Sequence, residues 1–340
     1  MRALFIGGTG TISSACSRAA IDAGHELWHL NRGTSLLPAP PAAHSIRADI
    51  RHEGEVRAAI GDLGWDVVVQ WLGFTPDHVR QDLEVFSGRT SQYIFISSAS
   101  VYQKPPVNWL ITEATPLDNP FWQYARDKIA CERLLQAQTA LPWTIVRPSH
   151  TYGPSQIPIA IGSWAHPFTV IDRMRRGAPM LVPGDGTSIW TVTHNSDFAR
   201  GFVGLLGHAD ALGQAFHITS DEALAWDRIY ELIGLAAGVA PHLLHVPTDA
   251  FAGGAEDEWA SLWGDKSHCA VFDNTKIRKL VPGFQARVPF AQGIRETVAW
   301  MDADPARQGV DHHANARWDR LVAIYAGALQ QAGGADDLAN

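Results

Sequence analysis

Apolar residues recur along the first 150 positions in a regular rhythm. A short unbroken apolar run gives way to a Gly, Asn or Asp turn, and then to a stretch with apolar positions three and four apart. Residues 3–6, 26–30, 44–48, 66–72, 92–97 and 143–147 read as six strands. Residues 12–23, 53–63, 76–86 and 119–138 read as the helices between them, with Pro76 suited to a first helical turn. Strand and helix in alternation predict an α/β fold, a doubly wound parallel sheet with helices on both faces. Near the end, Trp318, Leu321, Ile324, Tyr325 and Leu329 recur at helical spacing, which predicts a helix over 314–331 packed on the domain.

The first strand runs into Gly7, Gly8, Thr9, Gly10, Thr11 and Ile12 at the head of the first helix, and a second strand follows about 20 residues on. Side chains of a single hydrogen let backbone approach a pyrophosphate, and the helix aims its free N–H groups at the anion. The turn therefore predicts binding of a dinucleotide, NAD(P), in a Rossmann-type domain. At the end of the second strand a carboxylate usually grips the adenosine ribose, whereas an arginine accommodates a 2′-phosphate. Asn31 and Arg32 stand there, which tilts the cofactor toward NADP.

Composition narrows the classes. The 340 residues, 46% of them hydrophobic, can bury a large core in one domain or two closely joined ones. A net charge of -8 without a basic run predicts no nucleic-acid partner. Cys16, Cys131 and Cys269 lie too far apart for metal spacing, and their odd number gives no disulfide framework. His150, His166, His194 and His217 match no compact ligand set, so no metal is expected. No apolar run reaches membrane-spanning length and the chain opens on a core strand, so the expectation is a cytoplasmic protein without a membrane partner.

Two clusters carry chemistry. The fifth strand ends in Ser97-Ser98-Ala99-Ser100-Val101-Tyr102, and the fourth helix holds Tyr124 and Lys128. Positions i and i+4 share one helix face. An ammonium beside a phenol favours the phenolate, so such a tyrosine exchanges protons near neutrality while a serine hydroxyl holds the substrate oxygen.

With these residues in view, the chain resembles the extended short-chain dehydrogenase/reductases of the NAD-dependent epimerase/dehydratase kind over most of its length. The opening glycine turn, Asp49-Ile50, the serine-rich strand end and the Tyr124/Lys128 pair carry the likeness. So do Arg147-Pro148 through Pro154, His194 through Ala199, and Asp273 through Lys276. The resemblance implies Ser98, Tyr124 and Lys128 as catalytic groups. It implies Asp49 and Ile50 at the adenine, and Gly73, Lys128, Pro148 and His150 along the nicotinamide side. Ser100, Tyr102 and Trp190 would face substrate. It further implies a cofactor domain of residues 1–150 and 189–220 and a substrate-binding part of 151–188 and 221–305. A C-terminal helix and tail would follow over 306–340, with substrate where the two parts meet. A homodimer through the Tyr124 helix and its neighbour is also implied.

Departures shape the functional reading. Ser13 replaces the third glycine and is small enough for close helix packing. Gln70-Trp71-Leu72-Gly73-Phe74 replaces a run of small residues, and its aromatics read as core packing. Trp190 stands where many nucleotide-sugar enzymes place an arginine on the diphosphate, and Arg173, Arg175 and Arg176 read as a solvated run. An indole suits an uncharged ring, so the expected substrate is sugar-like but not a nucleotide sugar. The expected activity is an NAD(P)-dependent epimerase, dehydratase or oxidoreductase working through Ser98, Tyr124 and Lys128. A plain NADP-dependent carbonyl reductase and a non-catalytic cofactor-sensing or RNA-binding relative are the alternatives.

Overall fold

The computed structural model describes residues 1–252 and 256–331, with side chains at 256–258 and 329–331 left aside. It divides into two compact units. The first comprises Met1–Gly153, Thr191–Ala223 and Ala270–Val288; the second comprises Pro154–Trp190, Leu224–Cys269 and the chain from Pro289 on.

The first unit is built on seven parallel strands. β1 (Arg2–Ile6), β2 (Glu26–Asn31), β3 (His44–Arg47), β4 (Trp65–Gln70) and β5 (Thr90–Ile96) are followed by strands Trp143–Pro148 and Gln214–Ile218. From one edge the order is Gln214–Ile218, Trp143–Pro148, β5, β4, β1, β2, β3. The order reverses between β1 and β4, and ligands of such sheets sit outside the carboxyl ends of strands at that point. Side chains alternate cleanly across the sheet. Ala3, Phe5, Val67 and Val69 enter one core with α1 (Thr11–Asp22) and the helix Asn195–Val203. Leu4, Ile6 and Val68 enter the other, against α2 (Glu53–Ile60), α3 (Pro76–Phe86) and α4 (Gln123–Ala137). Burial on both faces explains why β4 reads as an uninterrupted valine run.

Three details differ from the sequence reading, each for a local reason. β4 stops at Gln70, and residues 71–73 turn away from the sheet. The fourth helix begins at Gln123 because buried Asn119 makes a turn instead: its Oδ1 accepts the N–H groups of Phe121 and Trp122, and its Nδ2 donates to the Ser100 carbonyl at 2.7 Å. Residues 270–288, expected in the substrate part, belong to the first unit. There Val271–Phe272 pairs with Leu110–Ile111, and the buried Asn274 amide exchanges hydrogen bonds with the backbone of Thr219.

In the second unit the helix Trp226–Ala237 packs on Phe290–Asp302 and on Thr169–Arg175. Arg173 is buried rather than solvated. Its guanidinium donates to Asn315 at 3.1 Å and pairs with Asp319 at 2.7 Å, tying Thr169–Arg175 to the C-terminal helix His312–Gln331. The expected tail beyond residue 331 lies outside the described residues. No described helix is long and apolar enough to cross a membrane.

Candidate active site

The glycine turn after β1 is built for close approach. Gly7 and Gly8 hold φ of 109° and 90°, a region L side chains avoid. A Cβ on Gly8 would lie 2.5 Å from the His29 ring, so this position is closed to any other residue. Beneath it, the Ser17 hydroxyl donates to the Gly8 carbonyl at 2.9 Å and meets His29 Nε2 at 2.8 Å. With the hydroxyl proton committed to Gly8, His29 Nε2 is the donor in that second contact. Burial pushes His29 down to about 4, so the imidazole is neutral. Ser13, in place of the third glycine, accepts the Gly10 N–H at 2.8 Å and caps α1. The first turn of α1 carries no acidic residue, which leaves its positive end uncompensated. Glycine cradle and open helix N-terminus together fit a pyrophosphate-bearing dinucleotide.

Around this turn, Thr9 accepts the Ser35 hydroxyl on its carbonyl at 2.7 Å, and the Thr11 carbonyl accepts Asn195 Nδ2 at 2.7 Å. Asn31 Oδ1 accepts the Gly33 N–H at 3.0 Å. Arg32 is exposed, and its guanidinium stands 3.5 Å from Asp49. The Arg51 N–H, with Arg32 adding to it, holds the Asp49 carboxyl below its ordinary range. Ile50 is buried beside it.

At the ends of β4 and β5 the Tyr124/Lys128 face of α4 meets the sheet. Lys128 is buried, and its ammonium donates to the carbonyls of Gly73 at 2.6 Å and Ile96 at 2.7 Å. The rings of Phe95, Phe74 and Tyr124 surround it, with centroids 4.9, 5.1 and 5.7 Å away. Burial lowers Lys128 to about 8. Two residues beyond Ile96, the half-buried Ser98 hydroxyl accepts from the backbone and side chain of Ser100 at 3.2 and 2.9 Å. The half-buried Tyr124 leans on Trp122 with centroids 4.8 Å apart. Lys128 therefore joins the helix of Tyr124 to the strand end that carries Ser98.

Residues 3–219 match the model of the NAD dependent epimerase/dehydratase family. The chain belongs to that family. Among curated relatives, the chloroplast stem-loop binding protein of 41 kDa b of Arabidopsis thaliana is 27% identical over 71% of this chain and 65% of its own length, slightly under two thirds. A 2′-dehydrokanamycin reductase of Streptomyces kanamyceticus is 25% identical over 88% of this chain and 84% of its own. The NAD complex of dTDP-glucose 4,6-dehydratase from Bacillus anthracis shares the fold, with a TM-score of 0.71 at 19% identity over 90% of this chain and 98% of that one.

The structure assigns two of the family member's expected substrate residues to packing. Tyr102 is fully buried; its hydroxyl accepts from Arg147 at 3.2 Å and meets His217 Nδ1 at 3.0 Å, beside the buried Arg147–Glu132 pair. Trp190, in the second unit, donates its N–H to the His268 carbonyl at 2.7 Å and packs on Trp226. Its face is covered by the Lys266 ammonium at 4.4 Å, carried over it by the π-helical turn Leu262–Lys266. A cation therefore does stand beside the position where the sequence shows none, already paired with Asp265. Ser100 is buried and serves Ser98. Pro148 ends its strand, and His150 is buried in the short strand paired with Val192–His194. Trp71 packs on Phe5 and Phe202 as expected for core, whereas Phe74 is exposed over Lys128.

Ser17, His29, Arg51 and Asp82 also brace these turns, and no sequence motif marks the first three. Asp82 did leave a signal, a carboxylate on the apolar stripe of α3 between Val79 and Val85.

Proposed function

We propose that this protein uses NADP in preference to NAD to oxidise or reduce a hydroxyl or carbonyl of an uncharged, sugar-like compound. A nicotinamide, when bound, supplies the hydride acceptor or donor. Ser98 holds the reacting oxygen by hydrogen bond, and Tyr124 passes its proton. Lys128, hydrogen-bonded at the strand ends and facing the Tyr124 ring, keeps positive charge beside the phenol. This placement of Lys128 is the observation that carries the reading. Exposed Arg32, at the end of β2 where no carboxylate occupies the strand terminus, supports NADP.

The uncharged substrate is supported by four cations of the second unit that are already paired. Arg173 is held by Asp319, Arg175 by Asp302 at 2.7 Å, Arg176 by Asp172 at 2.8 Å and Lys266 by Asp265. A reductase with net cofactor turnover is the second reading, favoured by the likeness to the 2′-dehydrokanamycin reductase over most of both chains. The net charge of -8 gives no support to an RNA-binding role of the kind the chloroplast relative's name describes. Two copies associate through α3 and α4 in this proposal, and light scattering at monomer mass throughout would overturn that part.

The test of the chemistry is Tyr124→Phe, which keeps the ring beside Trp122 and Lys128 and removes the proton. Cofactor affinity should stay within error while turnover of a neutral sugar or ketone substrate falls ~100- to 10,000-fold. Turnover near wild type would place the proton donor elsewhere.

A further inference from the structure

Behind the turn that follows β4 lies a buried polar chain that neither the sequence motifs nor the proposed chemistry uses. Gln70, Asp82 and Tyr93 are each at most 1% exposed. Asp82 Oδ2 accepts from Gln70 Nε2 at 2.7 Å and from the Tyr93 hydroxyl at 2.6 Å. A carboxylate only accepts, so Gln70 must turn its amide nitrogen to Asp82 and its oxygen outward. That oxygen accepts the Leu72 N–H at 2.8 Å. The orientation of the turn is therefore set from below by the polarity of Asp82.

The same turn presents two carbonyls to two cations. The Leu72 carbonyl accepts from the Arg51 guanidinium, and the Gly73 carbonyl from Lys128 at 2.6 Å. Gly73 has no room for a side chain, since a Cβ there would meet Phe95 at 2.7 Å and the Gln70 stem at 3.0 Å. A buried carboxylate is an expensive way to fill a core, and apolar side chains of like volume often serve stability as well or better. What apolar residues cannot do here is fix the direction of Gln70, and through it the Leu72–Gly73 carbonyls.

We propose that Asp82 and Gln70 are positioning residues that hold the 71–73 turn so that its carbonyls keep Lys128 and Arg51 in place. The proposal rests on the reading of Lys128 as a site residue. Cys131 and Glu132 on α4, Arg51 from the segment after β3 and His78 on α3 are the other titratable or charged groups that act on Lys128 or respond to it. A carbonyl turned away removes one of the two acceptors that favour the charged ammonium, so its titration should move down.

The chain has five lysines, Lys104, Lys128, Lys266, Lys276 and Lys279, which makes lysine side-chain NMR direct. Lys128→Arg assigns the resonance. In full-length Gln70→Leu, and in Asp82→Leu if it folds, the Lys128 midpoint should fall by about one pH unit or more. NADP should bind about 10-fold more weakly in the same variants. Asp82→Asn keeps an acceptor oxygen for Gln70 and Tyr93 and should stay near wild type in both readouts, which separates geometry from loss of charge. An unchanged Lys128 midpoint in folded Gln70→Leu would overturn the proposal. Absence of NADP binding by the wild type would instead overturn the functional reading, and the Lys128 titration would still decide the brace.

Discussion

Replacing Asp82 by asparagine should stabilise the protein at neutral pH, and by an amount that depends on pH in a defined way. Burial raises the Asp82 carboxyl from 3.8 to about 6, against the lowering pull of Gln70, Tyr93 and Arg51. A raised folded-state value means that the folded chain binds this proton more tightly than the unfolded chain. Its contribution is fully present below 3.8 and is lost as pH climbs through about 6. A shift of about two units is worth about 3 kcal/mol, which is the cost of holding the charged form at pH 7. The amide introduced by Asp82→Asn resembles the neutral form, accepting from Gln70 and Tyr93 with no charge to bury. Urea unfolding of both proteins from pH 4 to 8 gives the difference directly. Asp82→Asn should gain on the order of 2–3 kcal/mol at pH 7 and nothing near pH 4. A variant less stable than wild type at pH 7, or a difference constant across the range, would refute the assignment of Asp82 as a strained buried carboxylate.

Other consequences can be measured alongside it. Arg32→Ala should weaken NADP binding by on the order of 10-fold and leave NAD unchanged, read by calorimetry with both cofactors; equal losses would remove Arg32 from cofactor discrimination. Glu132→Leu strands the Arg147 guanidinium, which is 3% exposed, and should cost about 3–5 kcal/mol in urea unfolding. Adding Arg147→Met should recover much of that loss, and failure to recover would show that the pair is not the source. Gly8→Ala places a methyl on the His29 ring at a positive φ, so it should lower both stability and cofactor affinity. His29→Ala in that background should restore part of the affinity.

Much of the first unit was legible because its signals are local. Unbroken apolar runs marked strands buried on both faces, and Gly7 and Gly8 announced a turn that L side chains cannot make. The pairing of Tyr124 with Lys128 follows from helix geometry alone. What stayed hidden depends on contacts far apart in sequence. Tyr102 looked available for substrate because nothing local shows that Arg147 and His217 claim its hydroxyl. Trp190 looked like a missing cation because Lys266 stands 76 positions further along the chain. Asn274 pulls its segment onto Thr219 through side-chain hydrogen bonds that leave no periodicity. Asp82 shows the intermediate case: the stripe of α3 gives its burial away, while its partners Gln70 and Tyr93 on neighbouring strands do not.

In the proposed function, the turn from Gly7 to Thr11 and the N-terminus of α1 hold a nicotinamide dinucleotide beside Tyr124 and Lys128. Calorimetric titration of the full-length protein with NADP and with NAD tests it most directly. The expected result is saturable binding of one cofactor per chain, tighter for NADP, and retained in Tyr124→Phe. Absence of binding by either dinucleotide to folded wild-type protein would contradict it.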